Sequence, residues 1–229
     1  MPDQSAVGAE DNALGLLEDV VRKLRTDTSG KYRQAIAGAL KDSTNTRRIL
    51  AKHLREPIYK DELERWKDRW RQSFSGLWVP EYREGFDRLI VIPRGIWNDS
   101  ACALYSQAGI PLSFDKRIVD ASSNDRKTDR AYAVWVRKRR EADEENAKKS
   151  FQDLVRVSGI SLLERLVFGW DWFLEFSDHP DQESWTLCTG SRCSNGDVPG
   201  MCSRGVGIAV HWDEVDTADA GLRMREVVC

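Results

Sequence analysis

Three cysteines and a histidine near the end of this 229-residue chain have the residue types best suited to chemistry. They are spaced Cys188-x4-Cys193-x8-Cys202-x8-His211. Three thiolates and one imidazole suit tetrahedral zinc, and a closed set of four protein ligands is structural rather than catalytic. Such a metal would help hold a loop-rich segment together. Neither cysteine pair has the tight spacing of the common zinc motifs. Cys188 and His211 also fall in predicted strands, where alternation can point them to opposite faces. The competing reading is a buried Cys188, two loop thiols and a surface histidine.

A second set lies in residues 31–55, where two predicted helices meet at a short polar turn. The second helix carries Arg47, Arg48, Lys52, His53 and Arg55. Read as a helix–turn–helix, it would offer arginine to guanine edges and Arg47, Arg48, Lys52 and Arg55 to phosphates. No glycine marks the turn, and any helical hairpin with a basic solvent face has this pattern. Further on, Trp66 and Trp70 alternate with Arg65, Lys67, Arg69 and Arg71. Aromatics among cations can stack on single-stranded bases. The register of Leu63 and Phe74 with the two tryptophans favours a core stripe instead.

The C-terminal loops are rich in Ser191, Arg192, Ser194, Asn195, Asp197, Asp213, Asp216 and Asp219, without the spacing of a calcium loop. Asp178-His179 and Asp213-Glu214 have acid–base residue types, but no nucleophile motif gives them a task. The chain contains no GxSxG, HExxH, Walker or GxGxxG sequence. No catalytic residue is assigned on this basis.

These residues must be positioned by the elements around them. With 41% hydrophobic residues and nine Trp, the chain can bury a sizeable core. No apolar run nears the roughly 18 residues of a membrane span, and the N-terminal MPDQSAVGAEDN is neither a secretory nor a transit signal. Residues 1–10 are predicted to be a disordered tail, and the location cytoplasmic. Five cysteines cannot all pair, so thiols are expected. Charge is uneven: residues 31–55 carry seven Lys/Arg against one Asp, and 171–229 carry four Arg against eleven carboxylates. That asymmetry fits a basic face for a polyanion, or two ends that attract each other within the fold.

Helical periodicity predicts a small bundle over 11–75, with helices near 12–26, 31–41, 46–56 and 61–74. Arg88 to Pro93 and Ala131 to Val136 read as strands of a small α/β sheet, with a helix over 97–107 between them. Arg137 to Lys149 is almost wholly charged with four i,i+4 pairs, which predicts a solvated helix or a spacer between packed regions. Ser161-Leu162-Leu163-Glu164 is a capping box opening a helix over 161–176 that is apolar nearly all round, hence buried. A β unit over 185–229, with strands near 185–188, 207–212 and 222–228, should pack on it. The fold class is α+β, with the bundle followed by an α+β domain over 76–229.

The run Leu162-Leu163-Glu164-Arg165-Leu166, then Leu187-Cys188-Thr189-Gly190-Ser191-Arg192, Val198-Pro199, His211-Trp212 and Arg225-Glu226-Val227-Val228, resembles the end of a family of bacterial proteins without an assigned activity. The likeness reaches back to Leu89–Pro93 and Tyr132–Arg137. It implies a bacterial or mobile-element origin and carries over no site and no cofactor.

The sequence therefore points to a non-enzymatic cytosolic binding protein with a protein or nucleic-acid partner, no membrane and no cofactor. The alternative is a metal-assisted enzyme or zinc-stabilised module built on Cys188 to His211. A subunit of a larger assembly, anchored by exposed aromatics, is a third reading.

Overall fold

The computed structural model describes residues 61–114, 121–205 and 207–229. The predicted tail over 1–10, most of the bundle over 11–75, and Arg47, Arg48, Lys52 and Arg55 lie outside the described residues.

Within them the architecture is α+β. The description opens in a helix, α1 (61–70), followed by β1 (Arg88–Ile92), α2 (Asn98–Gln107), β2 (Leu112–Phe114), β3 (Ala121–Asn124) and β4 (Tyr132–Val136). A single turn α3 (Phe151–Leu154) and the long α4 (Leu162–Phe176) precede β5 (Trp185–Leu187), β6 (Ser191–Cys193), β7 (Val198–Arg204), β8 (Gly207–Asp213) and β9 (Leu222–Met224). β1 and β4 form an antiparallel ladder, β3 pairs with β6, and β2-β8-β7-β5-β9 make a mixed five-stranded sheet. The two runs predicted as strands of an α/β sheet are thus hydrogen-bonded directly, with α2 packed elsewhere, against α4.

α4 is the interior rod its composition predicts. Every residue from Leu162 to Trp172 is buried. The predicted capping box forms: Ser161 Oγ accepts from the Glu164 amide at 3.2 Å, and the Glu164 carboxylate accepts from the Ser161 amide at 2.8 Å. Met201, Ile208 and Val210 of the large sheet share one core with Leu162, Leu166 and Phe168. α2 lies close enough for Tyr105 Oη to donate to the Leu166 carbonyl at 2.8 Å. Gly169 permits this approach, since a Cβ there would stand 2.4 Å from Tyr105 Oη.

The free edge of β1 is satisfied by side chains of α1. Trp66 Nε1 donates to the Leu89 carbonyl at 2.7 Å, Trp70 Nε1 to the Val91 carbonyl at 3.0 Å, and Glu62 accepts from the Leu89 amide at 2.7 Å. Two indoles one helical turn apart thus meet carbonyls two residues apart on a strand, which blunts the β1 edge against pairing with another chain. The core reading of Trp66 and Trp70 holds.

Buried charge locks the elements together. Asp171 on α4 meets Arg88 of β1 and accepts from Arg69 Nε of α1 at 3.0 Å. Asp181, with no exposed surface, accepts from Arg165 Nε at 2.7 Å and Arg225 Nη2 at 2.6 Å. Burial alone would raise the Asp181 pKa, but the two guanidiniums and Thr186 hold it below the ordinary carboxylate value.

Two predictions need correction. Residues 137–149 are not a helix; they run irregularly with one 3-10 turn at Glu144–Asn146. Each i,i+4 pair would supply only about 0.2–0.5 kcal/mol. Tertiary partners displace them: Arg137 pairs with Asp143 and Glu226, and Glu141 accepts from the amides of Gln182, Glu183 and Ser184. Arg225 donates to the carbonyls of Arg139 and Arg140 at 3.0 and 2.7 Å, fixing an extended backbone. The second concerns β7, a central strand that none of the three strands predicted for the 185–229 unit covers. Gly200 is required there, because a Cβ would stand 2.6 Å from His211 Nε2 on the neighbouring strand.

Candidate functional site

Because β1 and β4 are antiparallel, with Ile92 opposite Tyr132, the loop leaving β1 and the loop entering β4 emerge side by side. Pro93 ends β1, and Gly95 turns the chain with φ of 76°, in the left-handed region that favours glycine. The Gly95 amide then donates to the Thr128 carbonyl at 2.7 Å, stitching the two loops together.

Arg126 fixes the second loop from beneath. Its Nε donates to Glu164 Oε1 at 2.6 Å, and its Nη2 donates to Glu164 Oε2 at 2.9 Å and to the Gly159 carbonyl at 2.7 Å. Tyr132 Oη donates to Glu164 Oε1 at 2.9 Å. Burial would raise the Glu164 pKa, but Arg126 and these hydrogen bonds hold it below the usual value. Burial, and then the Glu164 charge, push the Tyr132 pKa well up. Glu164 is thus a fixed anion and Tyr132 a fixed neutral donor. Neither is set to exchange a proton near neutral pH.

Two cavities open on these loops, of about 910 and 680 Å3. They share Arg94, Arg126, Lys127 and Asp129 as a common wall. The larger carries Trp78, 68% exposed, and the smaller carries Trp97, 65% exposed. Both indoles are held out of the core on loops. Arg94, Lys127 and Arg130 face the cavities, and among the described residues none of them forms an ion pair. Asp99, Asp125 and Asp129 line the same walls. The arrangement is two flat aromatic surfaces separated by cations, with carboxylates interspersed. It can hold a ligand that alternates planar groups with anionic ones.

The structure separates the proposed zinc residues. Cys188 sits in the core, its Sγ 3.6 Å from the Thr186 carbonyl, and burial pushes its pKa far up. Cys193 belongs to β6, in a different sheet from Cys202 on β7 and His211 on β8. The His211 ring stacks on Trp185 at 3.8 Å, and its Nε2 lies 2.5 Å from Asp213 Oδ2. Among the described residues, no three His, Cys, Asp or Glu side chains gather to hold a metal ion. Cys188 lies in the core just past the end of β5, and His211 on β8 is held against Trp185, so the spacing along the chain does not bring the four together. Cys102, Cys188, Cys202 and Cys229 carry free thiols. Neither predicted acid–base pair meets a nucleophile: His179 is buried against Phe173 with its pKa lowered by that burial, and Glu214 is exposed.

The residues of the double cavity were not among the sequence candidates. One signal did mark them: Trp78 and Trp97 stand in Ser-Gly-Leu-Trp-Val-Pro and Arg-Gly-Ile-Trp-Asn-Asp, outside any apolar periodicity. A large aromatic in turn-forming sequence has no stripe to join.

Neither a family model, nor a curated protein, nor a solved structure shows significant similarity to this chain. Among the described residues no helix is long and apolar enough to cross a membrane.

Proposed function

We propose that this protein binds single-stranded nucleic acid across the double cavity. Trp78 and Trp97 would serve as stacking platforms, with Arg94, Lys127 and Arg130 contacting the intervening phosphates. The observation that carries the reading is the pairing of two exposed indoles with a shared cationic wall, on loops anchored by Arg126. Sequence-tolerant single-strand binders combine a positive groove with aromatic faces, each stacked base being worth about 1–3 kcal/mol. A duplex offers no exposed base faces and gains little from the tryptophans. Asp99, Asp125 and Asp129 temper the positive field and can accept from base amino groups, as carboxylates do from cytosine.

The reading makes a quantitative claim about salt. Three phosphate contacts on a single strand give a slope of about −2 in log K against log salt, so affinity should fall roughly 20-fold between 50 and 200 mM. The test is fluorescence anisotropy of the full chain with labelled single-stranded and duplex oligonucleotides at both salts. Single strands should bind more tightly than duplex, and W78A and W97A should each weaken binding roughly 5- to 150-fold. A flat titration with single strands, or wild-type affinity in W78A/W97A, overturns it.

A further inference from the structure

The two indoles of the double cavity stand in different compartments. Trp78 lines only the larger cavity and Trp97 only the smaller, and the wall common to both holds Arg94, Arg126, Lys127 and Asp129. That wall is anchored. The Gly95 amide donates to the Thr128 carbonyl at 2.7 Å, while Arg126 donates to both carboxylate oxygens of the buried Glu164 and to the Gly159 carbonyl. Moving it aside would break charge-assisted hydrogen bonds, the strong kind. A ligand that reaches both tryptophans must therefore bend over the wall. Cationic charge is concentrated along that crossing. Beyond the shared residues, the larger cavity adds Arg130 against Asp125, and the smaller adds Asp99 alone. With Arg126 already matched by Glu164, Arg94 and Lys127 are the cations that both cavities share, opposed there by Asp129. An anionic linkage joining two planar groups gains most at that point.

We propose that the ligand is a pyrimidine-rich single strand that crosses this wall with two of its bases parted, one stacked on each tryptophan. This rests on the single-strand reading and names the class of strand it selects. In a free strand neighbouring bases stack on one another, strongly between adenines and weakly between thymines. Every base offers a π-face, so stacking on an indole discriminates little by itself. What discriminates is the cost of unstacking the two bases at the wall, which a run of adenines must meet and a run of thymines largely escapes. Preferences of this kind come from stacking strength and backbone flexibility, not from hydrogen-bond readout. Two compartments also make the strand a bivalent ligand. A strand that bridges them gains an effective concentration that a mononucleotide lacks.

The experiment is a set of anisotropy titrations of the full chain with oligo(dT) and oligo(dA) of equal length, with thermal melts confirming that each variant folds. Oligo(dT) should bind roughly 5-fold or more tightly than oligo(dA). TMP, which reaches one compartment at a time, should bind on the order of 100-fold more weakly than oligo(dT). The decisive ligand is oligo(dA) with an abasic spacer between successive adenines. The spacers abolish stacking in the free strand, so at equal adenine count this ligand should bind more tightly than continuous oligo(dA). The same spacers in oligo(dT) should bring no gain, which removes the added phosphates as the cause. W78A and W97A should each narrow the preference for thymine to within about twofold, because a strand held in one compartment has no pair of bases to part. Equal affinity for oligo(dT) and oligo(dA) overturns the parted strand and leaves single-strand binding standing. So does a spaced oligo(dA) that binds more weakly than the continuous one, or a preference that both variants retain in full. Failure of every single strand to bind sinks the single-strand reading itself, and this inference with it.

Discussion

The charges around α4 and the charges around the double cavity use the same side chains for opposite purposes. Beside α4, Arg88 and Arg69 converge on Asp171, and Arg165 and Arg225 on Asp181, each carboxylate wholly buried. At the cavity, Arg94, Lys127 and Arg130 stand in the open beside Asp99, Asp125 and Asp129, with no ion pair among the described residues. A buried ion must be matched inside the fold, because its desolvation costs several kcal/mol; an exposed ion can stay unmatched at almost no cost. Charges that the fold has already matched are therefore structural. Those it has left unmatched at a concave surface are free for a ligand.

Acid should break the first set most completely. The Asp181, Glu164 and Glu175 pKa values all lie below their ordinary values of 3.8, 4.5 and 4.5, in each case against burial and through neighbouring guanidiniums. A carboxylate with a lowered folded pKa contributes stability that is complete above its unfolded pKa and is lost as pH falls through the folded one. Asp143 acts in the opposite sense, its pKa raised by burial despite Arg137, so it offsets part of the effect. Stability measured by urea unfolding should be flat from about pH 7 to pH 5 and fall steeply below pH 4. A midpoint unchanged down to pH 3 would show that these ion clusters do not hold the fold.

Next in size is a single deletion. Asp181→Ala leaves Arg165 and Arg225 buried without their shared carboxylate, a loss of about 3–5 kcal/mol. For 150–250 residues that lowers the melting temperature by roughly 6–20 °C. Asp129→Ala, at the cavity, should change stability by no more than about 0.5 kcal/mol, the range of surface substitutions. Thermal unfolding by circular dichroism measures both. Equal shifts would erase the distinction between matched and unmatched charge.

The same division decides what the sequence could disclose. The capping box and the apolar run of α4 are local patterns, and both were legible; so were β1, β4 and α2. The stretch 137–149 reads as a helix because only its neighbours in sequence are visible, while Arg225 and Glu226, which hold it extended, lie about eighty residues away. β7 was hidden because Pro199 and Gly200 carry a turn's composition, and the reason for Gly200 is His211 on another strand. The zinc set failed for the converse reason: spacing along the chain places residues on strands, and only the register decides which face and which sheet they occupy. The double cavity depends on Gly95 meeting Thr128 and on Arg126 reaching Glu164, neither of which has a periodic signature.

Arg126 belongs to both regions at once, so its replacement sharpens the comparison at a smaller amplitude. It neutralises Glu164 beneath the N-terminus of α4, and it lines both cavities. Removing it leaves Glu164 with Tyr132 and the Ser161 amide as partners, and hydrogen bonds to charged groups are worth about 1.5–3 kcal/mol. Arg126→Ala should therefore lower stability by about 2–3 kcal/mol, less than Asp181→Ala, because Glu164 keeps two donors. Arg126→Lys restores the charge but not the fork that grips two oxygens and a carbonyl together, and should recover only part of the loss. Oligonucleotide affinity in Arg126→Lys should fall in proportion to loop disorder, since Arg126 positions Lys127 and Thr128 without offering its own charge, already matched by Glu164, to a phosphate. Chemical unfolding alongside anisotropy separates the two roles: full stability with lost binding would make Arg126 a direct ligand contact and move it from the matched set to the unmatched one.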